Sequence, residues 1–206
     1  MTIDRVRPRL ILASQSRSRR QMLEAAGLSF EAVASSVDEA RLRREMEAAG
    51  ADLRPAAVAR ALAVAKAEDV SRAHPEALVI GGDQVLALGD RIFEKPADLA
   101  AARGHLEAFR GTTHILVSAV ALAEGGRAIW QHDEAASLAV RRFSPAFLDR
   151  YLETAGDEVC QSVGAYQLEG LGAQLFDRIE GDYFTILGLP LIALLGELRA
   201  REVIEV

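Results

Sequence analysis

Cysteine is almost missing from this chain of 206 residues; Cys160 is the sole example. One thiol excludes an internal disulfide framework and any zinc site built from several cysteines. His74, His105, His114 and His132 show no metal-ligand spacing and read as surface or structural groups. There is no basic excess either: 24 Lys and Arg stand against 30 Asp and Glu, a formal charge of −6, and aromatics are only 5%. A nucleic-acid surface needs a basic face with interleaved aromatics, so a nucleic-acid partner is disfavoured. Long apolar runs are lacking. The best, Thr185 to Leu195, is broken by Gly188 and Pro190 and falls short of a membrane span. The opening Met1 to Leu10 has no long apolar core of a secretory leader. What remains is ordinary globular composition, half hydrophobic and 26% charged. The length suits one domain over residues 1–206, or two tightly joined lobes. The expectation is a soluble cytoplasmic enzyme or small-molecule binder with no membrane partner.

Arg9 to Ala13 reads as a strand, followed by a helix with Met22, Leu23 and Ala26 inward and a stop at Gly27. Phe30 to Ala34 alternates like a second strand, and Asp38-Glu39 opens a polar stretch that the pattern leaves unassigned. Pro55 to Arg72, Asp98 to Phe109, Pro145 to Thr154 and Pro190 to Arg201 read as helices, three of them opening on a proline. Strand patterns cover Ala77 to Leu88, with an interruption at Gly81-Gly82, then Arg91 to Phe93, Ile115 to Ala123 and Ala173 to Ile179. Gly125-Gly126 reads as a hairpin turn, with the return strand inside Ala128 to Phe143. Gly156 to Gly172 reads as loop-rich. Helices interleaved with strands and a hairpin predict an α/β fold with a mixed sheet.

Four stretches carry candidate chemistry. Ser14-Gln15-Ser16-Arg17-Ser18-Arg19-Arg20 lies between a strand and a helix. Hydroxyls and guanidiniums at a helix start suit a phosphate cradle, or equally a Ser cap beside solvated arginines. Gly81-Gly82-Asp83-Gln84 follows an apolar strand, where a carboxylate serves either a ligand or a bulge and turn. Lys66 stands in an apolar helix, pointing at an anion or reaching water along the helix edge. Glu39, Lys95 and Asp98 add charges nearby in pattern, and the glycine-dense 163–170 and 179–190 segments suggest a shaped ligand loop.

Together these segments resemble the Maf family of nucleotide pyrophosphatases. The matches run in order from Leu10 to Leu198. They are Leu12-Ala13-Ser14-x-Ser16-x-x-Arg19, Val37-Asp38-Glu39, Ala65-Lys66-Ala67, Val79-Ile80-Gly81-Gly82-Asp83, Glu94-Lys95-Pro96-x-Asp98, Gly164-Ala165-Tyr166, Ile179-Glu180-Gly181-Asp182-Tyr183 and Gly188-Leu189-Pro190. The resemblance implies an α/β fold with a twisted mixed sheet flanked by helices, two lobes around a cleft, and kinship with inosine triphosphatases. It implies hydrolysis of nucleoside triphosphates to monophosphate and pyrophosphate with Mg²⁺ or Mn²⁺, and a homodimer. On the matched positions, Ser14, Ser16 and Arg19 would bind phosphate, with Lys66 and Lys95 neutralising it. Asp83 would accept a proton. Glu39, Asp83 and Asp98 would hold the metal. Ser18, Gln84 and Glu169 fall where the family selects its base. Gln84 and Glu169 resemble the 7-methyl-GTP branch rather than the dTTP and UTP branch, while Ser18 departs from both, which favour Trp or Arg. A non-catalytic regulator of septum formation is the competing expectation.

Overall fold

The computed structural model describes residues 8–205; the polar opening through residue 7 lies outside them. The elements are β1 (Arg9–Ala13), α1 (Arg17–Ala25), β2 (Glu31–Ala32), α2 (Glu39–Ala48), α3 (Pro55–Ala73), β3 (Ala77–Leu88), β4 (Arg91–Phe93) and α4 (Leu99–Phe109), then β5 (Thr113–Glu124), β6 (Arg127–Val140), α5 (Pro145–Ala155), β7 (Phe176–Glu180), α6 (Tyr183–Ile186) and α7 (Leu191–Ala200). Short 3₁₀ turns at Gly156–Gln161 and Leu171–Leu175 punctuate the stretch between α5 and β7.

Five of the seven helix starts among the described residues follow one rule, while α3 and α7 have no side-chain cap. Ser16, Asp38, Asp98, Ser144 and Asp182 each sit one residue before a helix and accept a hydrogen bond from the backbone N–H three positions on. The Asp38 cap accounts for α2, which sequence pattern alone leaves unassigned. That helix buries no residue fully and packs only through Leu42 and Met46, so its apolar stripe is too thin to read.

The seven strands form one sheet in the order β2-β1-β3-β5-β6-β7, with β4 also on β3. β1 runs parallel to β2 and β3, and the other pairs are antiparallel. The mixed sheet flanked by helices is therefore as expected. Alternation on the buried strands sorts side chains to two faces. Leu10, Leu12, Leu78, Ile80, Val120 and Leu122 face α1 and α7, where Met22, Leu23, Leu194 and Leu198 meet them. The opposite face of β3 and β5 packs on α3 through Val58, Ala59, Leu62, Ala63 and Ala67. A separate cluster joins the far ends of β3, β5 and β6 to α4 and α5 around Leu86, Leu116, Phe109 and Tyr151.

Two details correct the sequence reading. Gly81-Gly82 does not interrupt β3, which pairs with β5 residue for residue from Val79 to Ala87. The second candidate strand shrinks to Glu31–Ala32. On its other edge β3 pairs with β1 only as far as Ala13↔Gly81, and with β4 only from Leu86↔Phe93. Between them, Gly82 to Val85 have no strand partner on that edge among the described residues. The sheet splits there, and a ligand can approach buried backbone at the split.

Candidate functional site

β1 delivers Ser14 and α1 to this split. Ser14 Oγ accepts from Ser16 N at 3.2 Å and from Arg19 Nη1 at 3.2 Å. Ser16 Oγ accepts from Arg19 N at 3.4 Å, and Arg19 Nε donates to Gly188 O at 2.8 Å. Arg19 is 9% exposed, an unusual depth for a guanidinium. Burial pulls its pKa down, while Asp83 and Glu39 oppose that shift. Gly82 makes room for it: a Cβ there would stand 3.2 Å from Arg19 Nε.

The neighbouring glycine does the same on the other face. A Cβ on Gly81 would meet Ala63 O at 2.2 Å, so α3 lies directly on the β3 backbone. That close approach brings Lys66 over Asp83, two residues along β3 on the same face. Lys66 Nζ stands 2.6 Å from Asp83 Oδ1 and 2.6 Å from Glu39 Oε1. The inward reading of Lys66 therefore holds over the snorkelling one. Asp83 is 5% exposed, and burial raises its pKa despite Lys66 and Arg19. Desolvation also pushes Glu39 up, but Lys66, Arg43 and Arg19 together hold it below the usual carboxylate range. Lys95, after β4 on the far bank, is exposed yet has its pKa lowered by desolvation and by Arg19. Glu39 and Asp83 counter that lowering. Beside Lys95, Glu94 pairs with Arg43 of α2 at 2.7 Å.

Ser14, Ser16, Arg19, Glu39, Lys66, Asp83 and Lys95 thus share one cleft. Asp98 is not part of it. Its carboxylate accepts from Ala101 N at 2.7 Å and caps α4, so the expected three-carboxylate metal set is not assembled. Among the described residues no three His, Cys, Asp or Glu side chains converge as a metal site. The two carboxylates that do meet, on Lys66, still suit a hard cation. Mg²⁺ commonly takes one or two carboxylates and completes its shell with phosphate oxygens and water.

Of the base-side candidates, Ser18 and Glu169 line a cavity of about 400 Å³ between α1 and the α6–α7 segment. Ser18 Oγ lies 3.0 Å from Ser16 Oγ and donates to Leu187 O at 3.0 Å. Gln84 is turned elsewhere. Its amide nitrogen donates to Ser118 Oγ, Thr185 O and Ile186 O at 2.9–3.2 Å, and it pins the segment that carries Leu187. The partners of three structural residues here escape sequence reading. Ser118 and Thr185 are fully buried partners of that pin, and Thr185 Oγ1 donates to Glu134 Oε2 at 2.7 Å. His114, also fully buried, bonds Tyr166 OH at 2.7 Å. Tyr151 OH donates to Ala165 O, where the backbone holds φ at 56°. These bonds shape the loop that ends in Glu169. A hydroxyl or imidazole inside a strand pattern gives no separate signal of such a partner.

Fold and site define a mixed α/β protein with a cleft where buried cations face buried and half-buried carboxylates. The chain belongs to the Maf-like protein family, whose model matches residues 9–201. A 7-methyl-GTP pyrophosphatase of Rhizobium etli is 52% identical over 198 residues, 96% of this chain and 98% of the relative. Another 7-methyl-GTP pyrophosphatase, from Rhizobium meliloti, is 50% identical over 97% of this chain and its own full length. A nucleoside triphosphate pyrophosphatase of Granulibacter bethesdensis is 50% identical over 96% of this chain and its own full length. Among solved structures, a nucleoside-triphosphatase / dITP/XTP pyrophosphatase of Mycobacterium abscessus aligns over 95% of both chains. Its TM-score is 0.43 at 15% identity, too distant to bear on the site.

Proposed function

We propose that this protein hydrolyses nucleoside triphosphates to the monophosphate and pyrophosphate, removing modified nucleotides such as 7-methyl-GTP from the cytoplasmic pool. The observation that carries the reading is the buried Asp83 at the sheet split, bonded to Lys66 and facing Arg19. Ser14, Ser16 and Arg19 would bind phosphate oxygens, joined by Lys66 and Lys95. A water oxygen forms a bond to the α-phosphorus, the bond from that phosphorus to the α–β bridging oxygen breaks, and pyrophosphate leaves. Asp83 takes the proton that the water loses; its raised pKa suits a general base better than an ordinary surface Asp. Glu39 and Asp83 would hold Mg²⁺ or Mn²⁺, which when bound neutralises charge on the phosphate oxygens. Ser18 and Glu169 would face the base, and Gln84 would act on it through the position of Leu187. A carboxylate at Glu169 favours a guanine edge, which donates, and the positive charge of a 7-methylated base. A homodimer is part of the proposal, and sedimentation reads it directly.

The test is pyrophosphate release from canonical and methylated triphosphates with Mg²⁺, with Mn²⁺ and with chelator. Asp83→Asn should lower kcat by about 10²–10⁴-fold, the usual worth of a positioned base, while circular dichroism stays unchanged. Equal turnover by wild type and Asp83→Asn would remove Asp83 from the chemistry.

A further inference from the structure

The 400 Å³ groove is larger and more apolar than a bare base requires. Met22 and Ala25 of α1 form one wall, and Leu187, Leu191, Ile192 and Leu195 form the other. Ile192 is 58% exposed, so apolar surface stands open to water there. The groove begins at the phosphate cradle, because Ser18 lines it and touches Ser16 at 3.0 Å. Ala25 lies two helical turns further on, about 10 Å at 1.5 Å per residue. The volume falls in the range that holds a drug-sized ligand, mostly apolar with a few polar groups to fix orientation. Ser18 and Glu169 are such groups.

We infer that this groove is a subsite for an apolar group carried on the nucleobase, so that the substrate class extends to triphosphates whose base bears N-alkyl or N-aryl substituents larger than methyl. The inference rests on the hydrolase reading above and adds to it the shape of the base. Alkylation of guanine at N7, which has a lone pair and no hydrogen to lose, leaves a cationic ring. The Glu169 carboxylate attracts that charge beside walls of low dielectric, while the α1 and α7 side chains receive the substituent. Continuity with the cradle favours this occupant over a second copy of the chain. A protein partner needs no carboxylate at the rim and no shared hydroxyl pair with a phosphate site.

7-Methyl and 7-benzyl guanine nucleotides carry the same ring charge and differ only in the apolar group. One methylene in an apolar pocket shifts selection by about tenfold or more. In calorimetry with the full chain, 7-benzyl-GMP should therefore bind at least about tenfold tighter than 7-methyl-GMP. Pyrophosphate release from 7-benzyl-GTP should show a correspondingly lower KM than from 7-methyl-GTP. Ala25→Phe, which fills the groove far from the cradle, should erase the benzyl advantage, lowering 7-benzyl-GTP turnover more than 7-methyl-GTP turnover. Equal or weaker binding of the benzyl compound would overturn the inference, as would a ratio that Ala25→Phe does not move. A change in sedimentation on Ala25→Phe with an unmoved ratio assigns the groove to a second copy and also overturns it. No pyrophosphate from any triphosphate, alongside tighter binding of 7-benzyl-GMP, would sink the hydrolase reading and leave the subsite standing.

Discussion

Gly81→Ala is the sharpest test of how α3 and β3 build the site. The added Cβ would stand 2.2 Å from Ala63 O, 2.7 Å from Ala67 N and 2.8 Å from Ala67 Cβ. Ala63 and Ala67 are spaced as partners in one helical hydrogen bond, so the methyl would press on backbone that cannot rotate aside. Ordinary contact starts at 3.4 Å, so relief requires α3 to lift from the sheet by about 1.2 Å. Lys66 sits one residue before Ala67, and the same lift would stretch its 2.6 Å contacts with Asp83 and Glu39 beyond bonding distance. Overpacking should cost about 1–3 kcal/mol in urea unfolding. A misplacement of about 1 Å should cost roughly 10² in pyrophosphate release even where the fold survives. Gly104→Ala in α4 is the control. A Cβ there has nothing within 4 Å, and the change should stabilise the protein by about 0.5–1 kcal/mol with no effect on turnover. If Gly81→Ala were as stable and as active as the parent, close helix–strand contact could not be what sets Lys66 on Asp83.

Burial depresses the His114 pKa from 6.5 to about 4. Below pH 6.5 the unfolded chain takes up a proton that the folded one refuses until about pH 4, so stability falls as pH drops through that window. The loss should reach about 3 kcal/mol at its end. Urea unfolding between pH 7 and pH 5 should show the slope and His114→Gln should flatten it; a parent whose stability does not change with acid argues against a buried neutral His114. Glu169→Gln removes a charge from the rim of the groove and should lower kcat/KM for 7-methyl-GTP more than for GTP. An equal slowing of every triphosphate would mean that Glu169 does not select the base.

Much of this architecture is legible in sequence because its signals are local. Pro55 and Pro145 mark helix starts, Gly125-Gly126 makes the hairpin, and the apolar runs of β1 and β5 have few alternatives. The site is legible only through its resemblance to a family, since Ser14, Lys66 and Asp83 are brought together by long-range packing. Read alone, Gly81-Gly82 suggests a break. Neither glycine is there for a turn: Gly81 admits a helix on one face and Gly82 admits Arg19 on the other. Asp98 illustrates the opposite error. A carboxylate after Lys95-Pro96 looks functional, yet a cap uses it first. His114 and Tyr166 lie 52 positions apart, and no periodicity announces such a bond.

The cleft is close to charge-balanced, which explains how a protein of net charge −6 can keep Arg19 buried and Lys66 largely so. Arg19, Lys66 and Lys95 face Glu39 and Asp83, and both carboxylates pair with Lys66. A buried cation without such a partner would be costly. On the proposed reading, a triphosphate with about four negative charges would compete for Lys66. On the same reading, a Lys66 drawn to phosphate would loosen its hold on Asp83, whose burial already raises its affinity for a proton. On the proposed hydrolase reading, substrate binding would thereby free Asp83 from its lysine to act as a base. On that reading the Lys66–Asp83 contact is the one a nucleotide would break, which would couple phosphate binding at the cradle to readiness for hydrolysis.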